Sequence, residues 1–203
     1  MDHVANFRAY AKGIQEVAEQ LPWDAMTQAV EALWRCCRQG KKILTMGNGG
    51  HSNTAAHMIN DLAKHTVSSD DKRAVVADGF RFRTMCLNDS VSLLTAVGND
   101  MGYEYVFSEQ IANWVEPGDV VIGISGSGNS QNILGAFEEA KKRRATTICY
   151  SGFEGGKARA VADINIVVPC HKMVQVEDFH LIINHMISDE LKRLVQGRQD
   201  ITG

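Results

Sequence analysis

The chain has 203 residues, 44% of them hydrophobic and 22% charged, which is enough to bury one substantial core and predicts a single globular unit. Its 21 basic and 24 acidic residues leave a formal net charge of -3, so charge gives no reason to expect nucleic acid or a membrane as partner, and any anion must be held by local groups. No apolar stretch approaches the ~18 residues that cross a bilayer, MDHVANFRAY lacks the pattern of a signal peptide, and five cysteines without a C-x-x-C pair fit a reduced, cytoplasmic chain.

Val4, Phe7, Tyr10, Ala11 and Ile14 recur at helical spacing, and after Pro22 a second helix carries Met26, Val30, Leu33 and Trp34. Near Gly40 these long helical patterns give way to short apolar runs followed by glycines, which divides residues 1–39 from a core over 40–203. The first two helices have little sheet of their own to cover, so their apolar faces point to a partner subunit. KKILTMG then reads as a strand, HSNTAAHMINDLAKH as a helix, FRTMCL as a strand, and Ser92 to Val97 as a helix. The stretch from Thr66 to Phe82, with SSDDKR at its centre, reads as an excursion or loop. Further on come the buried strand VVIGIS, the amphipathic helix SQNILGAFEEAKKR, the strand TTICYS, the short helix GGKARAVA and the strand INIVVP. VEDFHLIINHMISDELKRLV is a long last helix, and GRQDITG reads as a frayed tail. Continuous apolar strands interleaved with helices predict an α/β fold: a parallel sheet covered on both faces, because parallel neighbours need crossover connections.

Two glycine-rich loops follow strands and open helices. GNGG (Gly47 to Gly50) presents unpaired N–H groups and the positive helix end to an anion, with Asn48, Gly49 and Gly50 at close approach and His51 or Ser52 as a further donor. ISGSGNSQN repeats the arrangement and adds Ser125, Gly126, Ser127 and Ser130, so that hydroxyls and amides can hold a phosphate dianion without basic side chains. The bland alternative is a turn in which Ser130 merely caps the next helix. Neither loop has the P-loop lysine, and GNGGHS is not a dinucleotide fingerprint, so no nucleotide cofactor is expected.

GNGG, GISGSGNS, TAVGND (Thr95 to Asp100) and the final E-D-x-H-x-x-x-x-H helix together resemble the phosphoheptose isomerases of the sugar isomerase (SIS) superfamily, in order along nearly the whole chain. That resemblance implies a three-layer αβα sandwich with a five-stranded parallel sheet, a homotetramer joined through the N-terminal helices, and active sites at subunit interfaces. It also implies interconversion of sedoheptulose 7-phosphate and glycero-manno-heptose 7-phosphate, a step towards bacterial surface polysaccharide. Residue by residue, Ser125, Ser127 and Ser130 match the family's phosphate serines, Asn48 its first-loop asparagine and Asp100 a sugar-contacting aspartate. His57 and His185 match histidines that bind zinc in several members, and His185 also an acid or base. Asp61 stands where the family usually has its catalytic glutamate, Glu177 where it has glutamine, His51 where it commonly has serine and His65 where many members have arginine.

Moving a carbonyl between two sugar carbons needs a base for a carbon-bound proton and an acid or metal for the oxygen charge. His57 and Asp61 are four apart and share a helix face, whereas Glu177 and His185 lie two turns apart with an offset of roughly 80°. If the two helices face one another, His57, Asp61, Glu177 and His185 converge into a set able to take Zn2+ or a similar divalent ion. Asp61 or Glu177 is then the base and His185 the relay. The bland readings make Asp61 a surface partner of Lys64 or Lys157, His180 a core histidine, Asp178 and Asp189 surface or capping groups, and Met46, Met58 and Met186 core. Isomerisation of a different sugar phosphate, or a non-catalytic regulator or scaffold, are the alternative functions.

Overall fold

The computed structural model describes residues 2–67 and 81–202, so most of the Thr66 to Phe82 stretch lies outside the described residues. Helix α1 (His3–Ala18) starts at Asp2, whose carboxylate accepts from the Ala5 N–H at 3.0 Å. Helix α2 (Trp23–Arg38) follows Pro22 and ends with Arg35 and Arg38 against its negative end. There follow β1 (Lys42–Gly47), α3 (Gly50–Ala63), a 3-10 turn at His65–Val67, β2 (Arg83–Cys86), α4 (Val91–Asp100), a 3-10 turn at Tyr103–Tyr105 and α5 (Ser108–Trp114). The second half runs β3 (Val120–Ile124), α6 (Gln131–Lys142), β4 (Thr146–Ser151), α7 (Ala158–Val161), β5 (Ile164–Val167) and α8 (Met173–Thr202). Most predicted elements stand. The differences are α5, absent from the sequence reading, and GRQDITG, which continues α8 to Thr202 instead of fraying.

All five strands are parallel in the order β2-β1-β3-β4-β5. One face carries Ile43, Val120, Ile122, Ile148 and Ile166 against α2, α3 and α8, and the other carries Leu44, Met46, Val121 and Cys149 against α4 to α7. This is the three-layer α/β sandwich. Expecting α2 to have little sheet to cover is wrong: Met26, Ala29, Ala32, Leu33, Cys36 and Cys37 are buried in the first of these layers. The outward side of α1 remains exposed at Val4, Phe7 and Tyr10.

The chain reverses its direction of growth across the sheet between β1 and β3, which are hydrogen-bonded neighbours. The loops after those two strands therefore emerge side by side at the carboxyl edge, where open α/β sheets collect ligands. At the opposite edge, buried Asp119 accepts from the Lys42 N–H at 2.8 Å and the Glu116 N–H at 2.9 Å and pairs with Lys42 Nζ at 3.1 Å, fixing the starts of both strands. All five cysteines are buried and none is in a disulfide. Met46 and Met58 are core, but Met186 is 41% exposed: the buried face of α8 runs through Phe179, Ile183, Ile187 and Leu191, and Met186 lies off it.

Candidate functional site

The helices that follow β1 and β3 both begin at the carboxyl edge. Gly49, at φ +56°, precedes α3 and Ser130 precedes α6, and neither residue caps its helix with a side chain. The capped-turn reading of Ser130 therefore fails: its Oγ accepts from Ser125 Oγ at 3.0 Å instead. Ser125 is buried and Ser127 exposed, with Ser127 Oγ accepting from the Asn129 N–H at 3.2 Å. Hydroxyls and orphan amides thus line one concave edge, the arrangement that suits an oxyanion.

The second loop is braced from behind. Gly128, at φ +67°, packs so tightly that an added Cβ would collide with the Gly155 carbonyl oxygen, and Gly156 likewise abuts Ser127 and Gly128. The Lys157 N–H donates to Asn129 Oδ1 at 3.0 Å and the Ala158 N–H to the Gly128 carbonyl at 2.9 Å. Asn88, just past β2, braces the first loop by exchanging bonds with Gly47, accepting from its N–H at 3.0 Å and donating to its carbonyl at 2.9 Å. The loops are joined to each other by Asn48 and Asn132, whose side-chain amides exchange two bonds of 2.9 Å.

Two of the expected loop donors are spent differently. Ser52 Oγ donates to the Gly49 carbonyl at 2.7 Å. His51 is buried, with no partner for Nε2 among the described residues, and its ring lies 5.1 Å from that of His180. Burial lowers the pKa of His51, against a weaker opposing pull from Glu177. Burial, and then His51, push that of His180 down to about 3, offset in part by the Ser151 backbone. His180 is the core histidine that the bland reading describes.

Two turns along α3 stands a second cluster. His57 Nε2 lies 3.2 Å from His185 Nε2, and Asp61 Oδ2 lies 3.4 Å from the first and 3.7 Å from the second. Asn184, itself buried, donates to the same Asp61 oxygen at 2.8 Å. The ligand atoms of His57, Asp61 and His185 all lie within 4.8 Å of one another. Ligands at ~2.0–2.1 Å from a tetrahedral ion stand roughly 3.3 Å apart, so the spacing and the nitrogen and oxygen donors fit a small divalent cation with one position left open.

Glu177 does not join this cluster. Its carboxylate lies at the start of α3, with Oε2 3.8 Å from where a Cβ on Gly50 would stand. Eight residues of helix separate it from His185 by about 12 Å along the axis, more than the side chains bridge. The expected convergence of four groups within one chain thus reduces to three. Asp100 is exposed at the end of α4, accepting from Asn99 Nδ2 at 2.8 Å. Asp61 pairs with neither Lys64 nor Lys157. Asp178 accepts from the Tyr10 hydroxyl and Asp189 meets His65 at 2.7 Å.

Asn88, Asn132 and Asn184 were missed by sequence reasoning. Asn132 ends the ISGSGNSQN motif and Asn184 adjoins His185, whereas Asn88 follows a strand with no flagged neighbour, and an asparagine carries no charge or periodicity that would single it out.

Residues 6–152 match the model of the SIS domain. The phosphoheptose isomerase of Helicobacter hepaticus is 35% identical over 185 residues, covering 91% of this chain and 89% of that protein. That of Nitratiruptor sp. is 35% identical over 178 residues, covering 88% and 90%. Among solved structures, a phosphoheptose isomerase from Neisseria gonorrhoeae superimposes with a TM-score of 0.81 at 30% identity, over 95% of this chain and 98% of that one. Another from Francisella tularensis gives 0.83 at 28% identity, over 95% and 100%. Among the described residues no helix is long and apolar enough to cross a membrane.

Proposed function

The chain belongs to the SIS-domain family and, within it, to the phosphoheptose isomerases, and from that we propose how it works as an aldose–ketose isomerase of sedoheptulose 7-phosphate and glycero-manno-heptose 7-phosphate. The observation that carries the reading is that His57 and Asp61, which cluster with His185 of α8, stand on the same helix whose N-terminus forms half of the phosphate cradle. A regulator or scaffold has no need of such a cluster.

In this reading Ser125, Ser127, Ser130, Asn48 and the amides of both loops bind the phosphate, and Asp100 meets the sugar. Asp61 takes the proton from the carbon beside the carbonyl, His185 protonates the carbonyl oxygen to give the enediol, and the reverse transfers at the neighbouring carbon complete the isomerisation. Asn184 holds one Asp61 oxygen, so the carboxylate is presented in one orientation. We assign the base to Asp61 rather than Glu177 because Asp61 is the carboxylate that stands with His185. His57, Asp61 and His185 would also hold Zn2+ or a similar ion, which supplies positive charge for the developing enediolate oxygen.

We further propose that the chain is one domain working in the cytoplasm as a homotetramer, with residues 1–39 used in assembly. The exposed Val4, Phe7 and Trp23 supply apolar surface for this. The test is an NMR assay of sedoheptulose 7-phosphate with metal-analysed protein, beside Asp61→Ala and His185→Ala. Turnover lost in both variants supports the assignment, and a wild type that turns over no heptose phosphate overturns it.

A further inference from the structure

The side-chain amides of Asn48 and Asn132 form a closed pair. Asn48 Nδ2 donates to Asn132 Oδ1 and Asn132 Nδ2 donates to Asn48 Oδ1, both at 2.9 Å. Asn132 Oδ1 accepts a second bond from the Ile133 N–H at 3.0 Å, and Asn48 Oδ1 a second from the Tyr103 hydroxyl at 3.0 Å. An amide oxygen has two lone pairs and an amide nitrogen two hydrogens. Both acceptor sites of Asn48 are therefore filled by protein, one hydrogen is used, and one N–H remains. Asn48 can only donate to a ligand.

Asn132 is the member of the pair that arranges this. It is buried at the start of α6, and Asn48 stands on the loop after β1, so their pairing is a direct side-chain tie between the two phosphate loops. The fold itself does not depend on it, because α6 is anchored by buried Ile133, Leu134, Phe137 and Ala140. Asn132, Tyr103 and Asn48 line one cleft together with Ser130.

We propose that Asn132 is a positioning residue of the isomerase. By pairing with Asn48 it fixes the gap between the two phosphate loops and turns the remaining Asn48 N–H toward an oxygen of the bound sugar phosphate. The role rests on the isomerase reading for turnover, but not for phosphate binding.

Because Asn132 acts through Asn48, a double-mutant cycle tests it. The dissociation constant for inorganic phosphate is measured by calorimetry, and kcat and KM for sedoheptulose 7-phosphate by NMR, in wild type, Asn48→Ala, Asn132→Ala and the double variant. Each single change is expected to weaken phosphate binding and raise KM about tenfold, with kcat within about twofold, and the double variant to be no weaker than Asn48→Ala. Asn132→Ser, which keeps a hydroxyl at the helix start without the reach to Asn48, should reproduce the loss at an unchanged Tm. Losses that multiply in the double variant overturn the proposal, as does a fall in kcat alone or a lowered Tm with phosphate binding intact. A wild type that binds phosphate without turning over the sugar defeats the isomerase reading only, and the phosphate arm still decides the role of Asn132.

Discussion

His51 and His180 lie with ring centroids 5.1 Å apart in the interior, on the same two helices, α3 and α8, whose exposed His57 and His185 rings are also 5.1 Å apart. One pair faces solvent. In the other, burial lowers the pKa of both rings.

That difference sets a pH dependence. In the unfolded chain both buried histidines titrate near their ordinary value of about 6.5, whereas His180 in the fold titrates near 3. Between these values the unfolded state binds more protons, so stability falls as pH drops from about 6.5 towards 3 and is unaffected by this group above 6.5. His180→Phe should flatten the slope. Denaturation midpoints at pH 4.5, 5.5 and 7.5 check it, and an equal slope in both proteins would count against a neutral buried His180.

Tyr150 adjoins the same pair, its ring 6.0 Å from that of His180, with a hydroxyl that has no partner among the described residues. Burial pushes its pKa up. Since an unsatisfied buried hydroxyl costs about 1–3 kcal/mol, Tyr150→Phe should be neutral or stabilising by about 1 kcal/mol in urea unfolding. A clear loss of stability would mean that the hydroxyl is bonded.

Asp61→Asn should lower kcat by about 10²-fold or more if the carboxylate transfers the proton. Asn184→Ala, which frees the same carboxylate, should cost about 10- to 100-fold in metal affinity or activity with the fold retained. Metal content after dialysis separates the two effects. Normal zinc retention and normal kcat in Asn184→Ala would remove Asn184 from the site.

Gly128→Ala combines a left-handed backbone with a collision against the Gly155 carbonyl. The expected loss is at least about 2 kcal/mol of stability, accompanied by weaker phosphate binding. Gly40, also at positive φ but with open space around it, is the control. Equal effects at the two positions would show that the interlock contributes nothing beyond backbone strain.

The strands and both glycine-rich loops were legible because their signals are local: a buried apolar run, then glycine and hydroxyls, then a helix. So was the pairing of His57 with Asp61, a matter of spacing four on a helix. Where Glu177 falls was not, since that depends on how α8 is rotated against α3. The inward turn of His51 was hidden for the same reason: it needs His180 from a residue 129 positions away. The Asn48–Asn132 pair joins loops that only the sheet order brings together.

Gly49 opens the same rigid helix on which His57 stands, about 12 Å further along the axis, with Asp61 one turn beyond and both side chains leaning back towards the first turn. The helix is a gauge. In the proposed site, a ligand anchored by its phosphate at one end presents its carbonyl to the cluster only if its carbon chain spans that interval. Length is therefore the first property that this architecture sorts, before the configuration of any single hydroxyl.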